Sequence, residues 1–154
     1  MSEFMENYRF VTYLCRDKQD WMAAQKGLAV IDSGLGRNIT EKTGITEFGP
    51  AIRVLIKDKK DEIVGGVFGE PFGGWLYISV LWVKKTLRNN GFGTKLMDII
   101  EDEAKKLGCT NVHLDTFSFE APRFYERRGY EVFALLDDYP KGHSKYFLKK
   151  KLSS

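Results

Sequence analysis

The chain has 154 residues, of which 43% are hydrophobic and 29% are charged, a composition typical of one globular domain spanning residues 1–154. The formal net charge is only +3, because 24 basic residues are nearly balanced by 21 acidic ones, which argues against a nucleic-acid-binding protein. No apolar run is long enough to span a membrane and the N-terminus lacks a signal-peptide pattern, so we expect a cytoplasmic protein without membrane partners.

The first third of the chain predicts a strand, a helix and a loop-rich segment. Hydrophobic alternation over Tyr8–Leu14 predicts a strand, and Asp17 can cap a helix that runs to about Val30. Residues 31–50 contain four glycines and a proline in a weak pattern, which predicts a short helix with mobile loops. A loop-rich segment of this length in a compact domain usually has a functional role.

The remainder predicts a mixed sheet with one long helix. A hairpin is expected, followed by the connection Gly69–Gly74 and the buried central strand Leu76–Val83. Apolar spacing predicts a helix ending near Leu107, and a strand reached through this crossover runs parallel to the central one. The other elements are the hairpin strands Ala51–Lys57 and Glu62–Phe68, the parallel strand Asn111–Phe117, the short helix Glu120–Arg128, and the closing strands Tyr130–Leu136 and Ser144–Lys149.

A glycine-containing turn, Arg88–Gly93, joins the central strand to the long helix. Such a turn directs unpaired N–H groups and the positive end of the helix dipole to one point, where an anion can bind. Gly93-Thr94-Lys95 has the wrong order for a Walker loop, and only G-x-G of the dinucleotide fingerprint is present. The turn is either an anion site or an ordinary strand-to-helix connection.

Two motifs in order carry a family resemblance. Arg88-x-x-Gly91-x-Gly93 follows a strand that ends at Val83, and Ala121-x-x-x-Tyr125 stands in a short helix that ends in Gly129-Tyr130. Both resemble the GNAT superfamily of N-acetyltransferases. The resemblance implies a single-domain α/β (α+β) fold with a mixed, mostly antiparallel sheet of about 6–7 strands and about four helices. It also implies a splay between the strands that end near Val83 and Phe117.

The resemblance further implies that acetyl-CoA is the cofactor and where it binds. The turn would receive the pyrophosphate, and the pantetheine arm would run beside the end of the central strand. Ser118 occupies the position of an Asn that contacts the cofactor arm in many members, with a shorter reach. The implied cofactor-binding residues are Leu81, Trp82, Val83, Arg88, Asn89, Asn90, Gly91, Phe92, Gly93, Thr94, Ser118 and Tyr125.

Acetylation of an amine also needs a base and an acid. Glu70 is the first candidate for the base and Asp115 the second, while Asp32, Glu47, Asp137 and Asp138 stay open. The family resemblance makes Tyr125 the acid for the departing thiolate. Two separated cysteines and two histidines offer no metal-site spacing.

The function expected from these residues is an acetyl-CoA-dependent N-acetyltransferase that acts by direct transfer in a ternary complex. A small-molecule amine is favoured as acceptor, because five aromatic residues could line a compact pocket and no recognition domain is added: Tyr13, Trp21, Phe48, Phe72 and Tyr139. A protein lysine or N-terminus is the alternative acceptor, and a non-catalytic acyl-CoA-binding module is the alternative function. Family habit also allows a homodimer through the C-terminal strands.

Overall fold

The structure, a computed structural model, describes Arg9, residues 11–46 and residues 49–152. The chain divides into two compact units, one ending at Thr46 and the other comprising the rest. Among the described residues, no helix is long and apolar enough to cross a membrane.

The N-terminal unit contains one helix, α1 (Lys18–Thr43). Its predicted start is confirmed, because the Asp17 side chain accepts a hydrogen bond from the N–H of Asp20. The predicted end at Val30 is wrong: the helix continues to Gly44, whose φ of 72° closes it. A glycine inside a helix costs only about 1 kcal/mol, so the glycines of this segment do not stop it.

The strand predicted over Tyr8–Leu14 is also wrong where it can be compared. Arg9 and residues 11–14 are not in a strand, while Tyr8 and Phe10 lie outside the described residues. Side-chain alternation gives a segment the pattern of a strand, but a strand forms only where a neighbouring strand accepts its hydrogen bonds.

The C-terminal unit is a six-stranded sheet in the order β1-β2-β3-β4-β6-β5. Strands β3 and β4 are parallel, as predicted, and all other neighbours are antiparallel. The described residues contain three α-helices, fewer than the four expected, and a 3₁₀ turn at Lys85–Leu87. The elements are β1 (Ile52–Lys57), β2 (Ile63–Phe72), β3 (Trp75–Val83), α2 (Phe92–Lys106), β4 (Asn111–Phe117), α3 (Pro122–Arg127), β5 (Glu131–Asp137) and β6 (Ser144–Lys151).

Strand β2 is longer than predicted. Gly69 belongs to the strand, where it pairs with Ile78. A glycine stands there because a Cβ would lie 2.7 Å from Leu76 Cδ1 and 2.9 Å from Ile100 Cδ1, where the helix α2 approaches the sheet. The hairpin turn is confined to Gly73 and Gly74, both with positive φ, as a tight two-residue turn requires. Glu70 therefore lies on a strand and not in a connection.

The core lies between α2 and one face of the sheet. Leu96, Met97 and Ile100 of α2 are fully or almost fully buried against the apolar side chains of β3 and β4. The facing strand residues are Leu76, Ile78, Val112 and Leu114. Because side chains alternate along a strand, Tyr77, His113 and Asp115 are directed to the opposite face.

The sheet opens between β3 and β4, as predicted. Their pairing ends at Ile78 and Leu114, although both strands continue. A β-bulge in the β2–β3 ladder leaves Ser79 as the extra residue at this point, because Phe68 pairs with Val80 and Gly69 with Ile78. The two strands therefore border a gap at the centre of the sheet.

Candidate active site

The main chain of β3 faces the gap at alternate residues. The N–H of Lys84 donates to the carbonyl of Val64 on β2 at 2.9 Å. Because backbone groups along an antiparallel strand point to alternate neighbours, the N–H and C=O of Trp82, two residues earlier, also point to β2. The N–H and C=O groups of Leu81 and Val83 are thus directed to the gap. Arg88 Nε donates to the Val83 carbonyl at 3.0 Å, which agrees with this direction.

The turn after β3 forms a concave backbone at the start of α2. Asn89 and Gly91 have positive φ values of 62° and 81°, and the Asn90 amide donates to the Arg88 carbonyl at 2.9 Å. Gly91 is the N-cap and supplies no side-chain cap, so the N–H groups of the first turn, from Phe92 to Thr94, have no partner in the helix. Gly93 lies beside α3, since a Cβ there would be 3.4 Å from Phe124 Cζ.

Tyr125 is packed on the α2 side of the sheet. It is only 8% exposed and belongs to the same apolar cluster as Val83, with Leu81 packed against that cluster. Its hydroxyl forms no hydrogen bond with any other described residue. Burial is the main cause that raises the pKa of Tyr125 to about 12, and the charges of Glu120 and Asp115 add to it. The phenol therefore stays protonated at neutral pH.

Glu70 lies on the other face of the sheet, next to the bulge. Its Oε1 is 2.9 Å from Arg53 Nη2 and accepts a hydrogen bond of 3.4 Å from the hydroxyl of Ser79. Its Oε2 is buried and has no hydrogen-bond partner among the described residues. One oxygen of this carboxylate is thus held, and the other is sheltered from water and uncommitted.

Asp115 lies on the same face, but both of its oxygens are engaged. Oδ1 accepts a hydrogen bond of 3.0 Å from the hydroxyl of Tyr77, and Oδ2 is 2.8 Å from Lys145 Nζ. Burial first, and then this hydrogen bond, raise the pKa of Tyr77, while the bond to Asp115 raises the pKa of Lys145. Asp115 is thus the anion of a formed ion pair.

Three of the remaining candidates already take part in hydrogen bonds. The Ser118 hydroxyl accepts from the N–H of Ser144 at 3.2 Å, and Asp137 and Asp138 accept hydrogen bonds in and beside the β5–β6 loop. Asp32 is on α1. Glu47 and Phe48 lie outside the described residues.

In the described part of the chain, His, Cys, Asp and Glu form no group that could hold a metal ion. His113 stacks on Tyr77 with ring centroids 4.9 Å apart, and burial lowers its pKa. His143 packs edge-on against Phe119. Both histidine side chains therefore contact aromatic rings.

Three residues that contact Glu70 or Asp115 were not predicted from the sequence: Arg53, Tyr77 and Lys145. Each is an isolated polar residue in an otherwise ordinary strand, and only the pairing of strands brings it to a carboxylate. The nearest available signal was their position on the polar side of the strand alternation, which many surface residues share.

Known proteins resemble this chain in sequence and in fold. A sequence profile of the acetyltransferase (GNAT) family matches residues 19–130. An acetyltransferase of Agrobacterium fabrum is 33% identical over 100 residues, which are 65% of this chain and 73% of that protein. Blasticidin-S acetyltransferase of Streptomyces morookaense is 36% identical over 95 residues, which are 61% of this chain and 70% of that protein. The crystal structure of an acetyltransferase from Bacillus cereus, 29% identical, covers 96% of this chain and 100% of its own with a TM-score of 0.69.

Proposed function

Since this chain belongs to the acetyltransferase (GNAT) family, whose acetyl donor is acetyl-CoA, we propose that it acetylates the primary amine of a small molecule. The transfer is direct, within a ternary complex of enzyme, acetyl-CoA and amine. The observation that carries the proposal is that Glu70 Oε2, on one face of the sheet, and the hydroxyl of Tyr125, on the face covered by α2, form no hydrogen bond with another described residue.

The residues of the turn and the gap fit acetyl-CoA, which supplies an acetyl group activated as a thioester. The uncapped N–H groups of Phe92, Gly93 and Thr94 offer charge-assisted hydrogen bonds to a pyrophosphate. The backbone of Leu81 and Val83 offers hydrogen bonds to an extended pantetheine arm, as an added strand would receive them.

The same backbone can polarise the thioester carbonyl. A preorganised N–H donor aimed at a developing oxyanion is worth about 3 kcal/mol of the barrier. The N–H groups of Leu81 and Val83 are the available donors, because pairing with β4 has ended and pairing with β2 uses their neighbours.

Glu70 removes the proton from the acceptor amine. An alkylamine has a pKa of about 10.4, so keeping it neutral at pH 7 without help costs about 4–5 kcal/mol. A carboxylate oxygen without a hydrogen-bond partner can take this proton directly or through a water. We therefore assign the base to Glu70, and Asp115 with its partner Lys145 to the wall of the acceptor site.

Tyr125 donates the proton to the departing thiolate. Its buried phenol stays protonated over the whole neutral range, and its hydroxyl has no competing acceptor among the described residues. An acyl-enzyme route is disfavoured, because Cys109 follows the far end of α2, about 20 Å along the helix from the turn, and burial raises the pKa of its thiol.

The acceptor is proposed to be small because a relative named for a small amine antibiotic, blasticidin S, shares 36% of its matched residues with this chain. Aromatic rings on the Glu70 face, from Tyr77 and Phe117 to Tyr139, suit a compact substrate.

We further propose one domain over residues 1–154 and a cytoplasmic location, supported by two free cysteines. A homodimer is the arrangement proposed for assembly.

Replacing Gly91 by alanine should weaken acetyl-CoA binding about tenfold or more. The new Cβ would lie where the pyrophosphate approaches, and one charge-assisted hydrogen bond is worth about 1.5–3 kcal/mol. The shift of the unfolding temperature with acetyl-CoA concentration measures this loss. The matched control is Gly108→Ala at the other end of α2, since Gly91 and Gly108 have φ values of 81° and 82° and neither Cβ would meet an atom within 4 Å. Equal loss of acetyl-CoA binding in both variants would reject the turn as the pyrophosphate site.

Glu70→Gln should lower kcat about 100-fold with an acceptor amine, the effect typical of a lost general base. Thiol release from acetyl-CoA is measured with blasticidin S, a polyamine, a lysine peptide and a peptide with a free N-terminus. Glu131→Gln is the control, because Glu131 is an exposed glutamate paired with Lys149 at 3.2 Å. Release with the peptides alone would reject the small-molecule acceptor, and no release with any amine despite acetyl-CoA binding would favour the non-catalytic module.

A further inference from the structure

Arg53 is held more firmly than an exposed arginine on an edge strand usually is. Its Nη1 donates to the carbonyls of Ile52 at 2.9 Å and Gly69 at 3.1 Å, and the guanidinium lies 4.8 Å from the ring centroid of Phe68. Two backbone carbonyls and one ring thus fix the plane of the guanidinium. Its Nη2 is then free to meet Glu70 Oε1 at 2.9 Å.

The carboxylate of Glu70 is bonded on one side only. Arg53 from β1 and Ser79 from β3 both contact Oε1, while the buried Oε2 has no partner among the described residues. A carboxylate free to rotate would exchange its two oxygens. Two donors on Oε1 oppose that rotation, and Ser79 is available as the donor from β3 because it follows Tyr77 by two residues and lies on the same face.

We propose that Arg53 and Ser79 are positioning residues that hold the carboxylate of Glu70 with Oε2 directed at the acceptor amine. The inference rests on the proposed function, in which Glu70 is the base. Arg53 contributes most, because its contact with Oε1 is charge-assisted and its guanidinium is itself held by two carbonyls and a ring. Ser79 adds orientation without charge.

The other charged and titratable groups on this face do not replace Arg53. Tyr77 of β3 pairs with Glu70 across the ladder, but it is neutral and donates its hydroxyl to Asp115. Asp115 of β4 and Lys145 of β6 neutralise each other at 2.8 Å. Among the described residues, Arg53 is therefore the cation in contact with Glu70.

The test compares kcat and the KM for acetyl-CoA of Arg53→Met with those of wild type, and repeats the substitution in the Glu70→Gln background. Without the guanidinium, kcat should fall about tenfold, because Oε2 is no longer held toward the amine. In the Glu70→Gln background the same substitution should change kcat by less than about twofold, because the carboxylate that Arg53 positions is gone. KM for acetyl-CoA should stay within about twofold, since Arg53 lies outside the cofactor turn.

Arg53→Lys separates charge from orientation. A lysine keeps the positive charge but cannot bond both carbonyls and the carboxylate in one plane, so kcat should still fall about fivefold. Lys57→Met is the control, because Lys57 lies on the same strand in an exposed pair with Asp61 and should change neither quantity. Thermal unfolding confirms that each variant is folded.

The outcomes distinguish this inference from the proposed function. An unchanged kcat in Arg53→Met, with Glu70→Gln inactive, would overturn the role of Arg53 and leave Glu70 as the base. Full activity of Glu70→Gln would reject Glu70 as the base and, with it, both proposals.

Discussion

Tyr125→Phe is expected to lower kcat about 100-fold while leaving acetyl-CoA binding and the unfolding temperature almost unchanged. The substitution removes only the hydroxyl, which donates the proton to the thiolate and has no hydrogen-bond partner among the described residues. The buried ring keeps its packing against Phe124 and Tyr130. Because the pKa of Tyr125 is about 12, deprotonation of its hydroxyl should reduce kcat only above about pH 11. Steady-state thiol release with a fixed amine measures the effect.

Tyr130→Phe is the matched control for this experiment. Tyr130 is also buried, 5.8 Å from Tyr125 between ring centroids, but its hydroxyl donates to Glu101 Oε1 at 2.9 Å. Its loss should cost stability, about 1–3 kcal/mol for a broken hydrogen bond to a buried charge, and should leave kcat unchanged. If Tyr125→Phe instead lowered the unfolding temperature and kept kcat, Tyr125 would be a packing residue.

Glu101→Leu is expected to lower the free energy of unfolding by about 3–5 kcal/mol, which lowers the unfolding temperature by roughly 10 °C in a domain of this size. Glu101 is 7% exposed on α2 and accepts a hydrogen bond from Tyr130. It also lies 2.7 Å from Lys150 of β6 and 3.4 Å from Arg128, which follows α3. Its removal leaves two partly buried cations without this carboxylate. Thermal unfolding followed by circular dichroism measures the loss.

Glu103→Leu on the same helix tests whether the effect depends on burial. Glu103 forms an exposed pair with Lys106 at 2.6 Å, and such pairs contribute little because water screens them. Its removal should hardly change the unfolding temperature. A loss equal to that of Glu101→Leu would mean that the buried network does not explain the result.

Most of the second half of the fold could be predicted because its patterns are local. The strand Asn111–Phe117, the long helix and the parallel crossover follow from side-chain periodicity and from the rule that a helix joins parallel strands. The first 50 residues were predicted less well. Their glycines indicated loops, yet α1 extends to Thr43, because single glycines cost less than a continuous run of helical hydrogen bonds gains.

The sequence by itself determined the family, the acetyl donor and the glycine turn. These depend on residues close together in the chain, where Gly91 and Gly93 allow the backbone to bind an anion and Tyr125 completes a second short motif. Such motifs can be recognised in a sequence because a strand, a turn and a helix that follow one another need no distant partner.

The tertiary structure alone decided which carboxylate is free. Glu70 and Asp115 were both candidates for the base, but the β4–β6 ladder brings Lys145 to Asp115, whereas Arg53 of β1 and Ser79 at the bulge contact only one oxygen of Glu70. These partners are distant along the chain, and the nearest, Ser79, is 9 residues from Glu70. A hydrogen bond depends on positions within a few tenths of an ångström, and only the register of paired strands sets positions so closely.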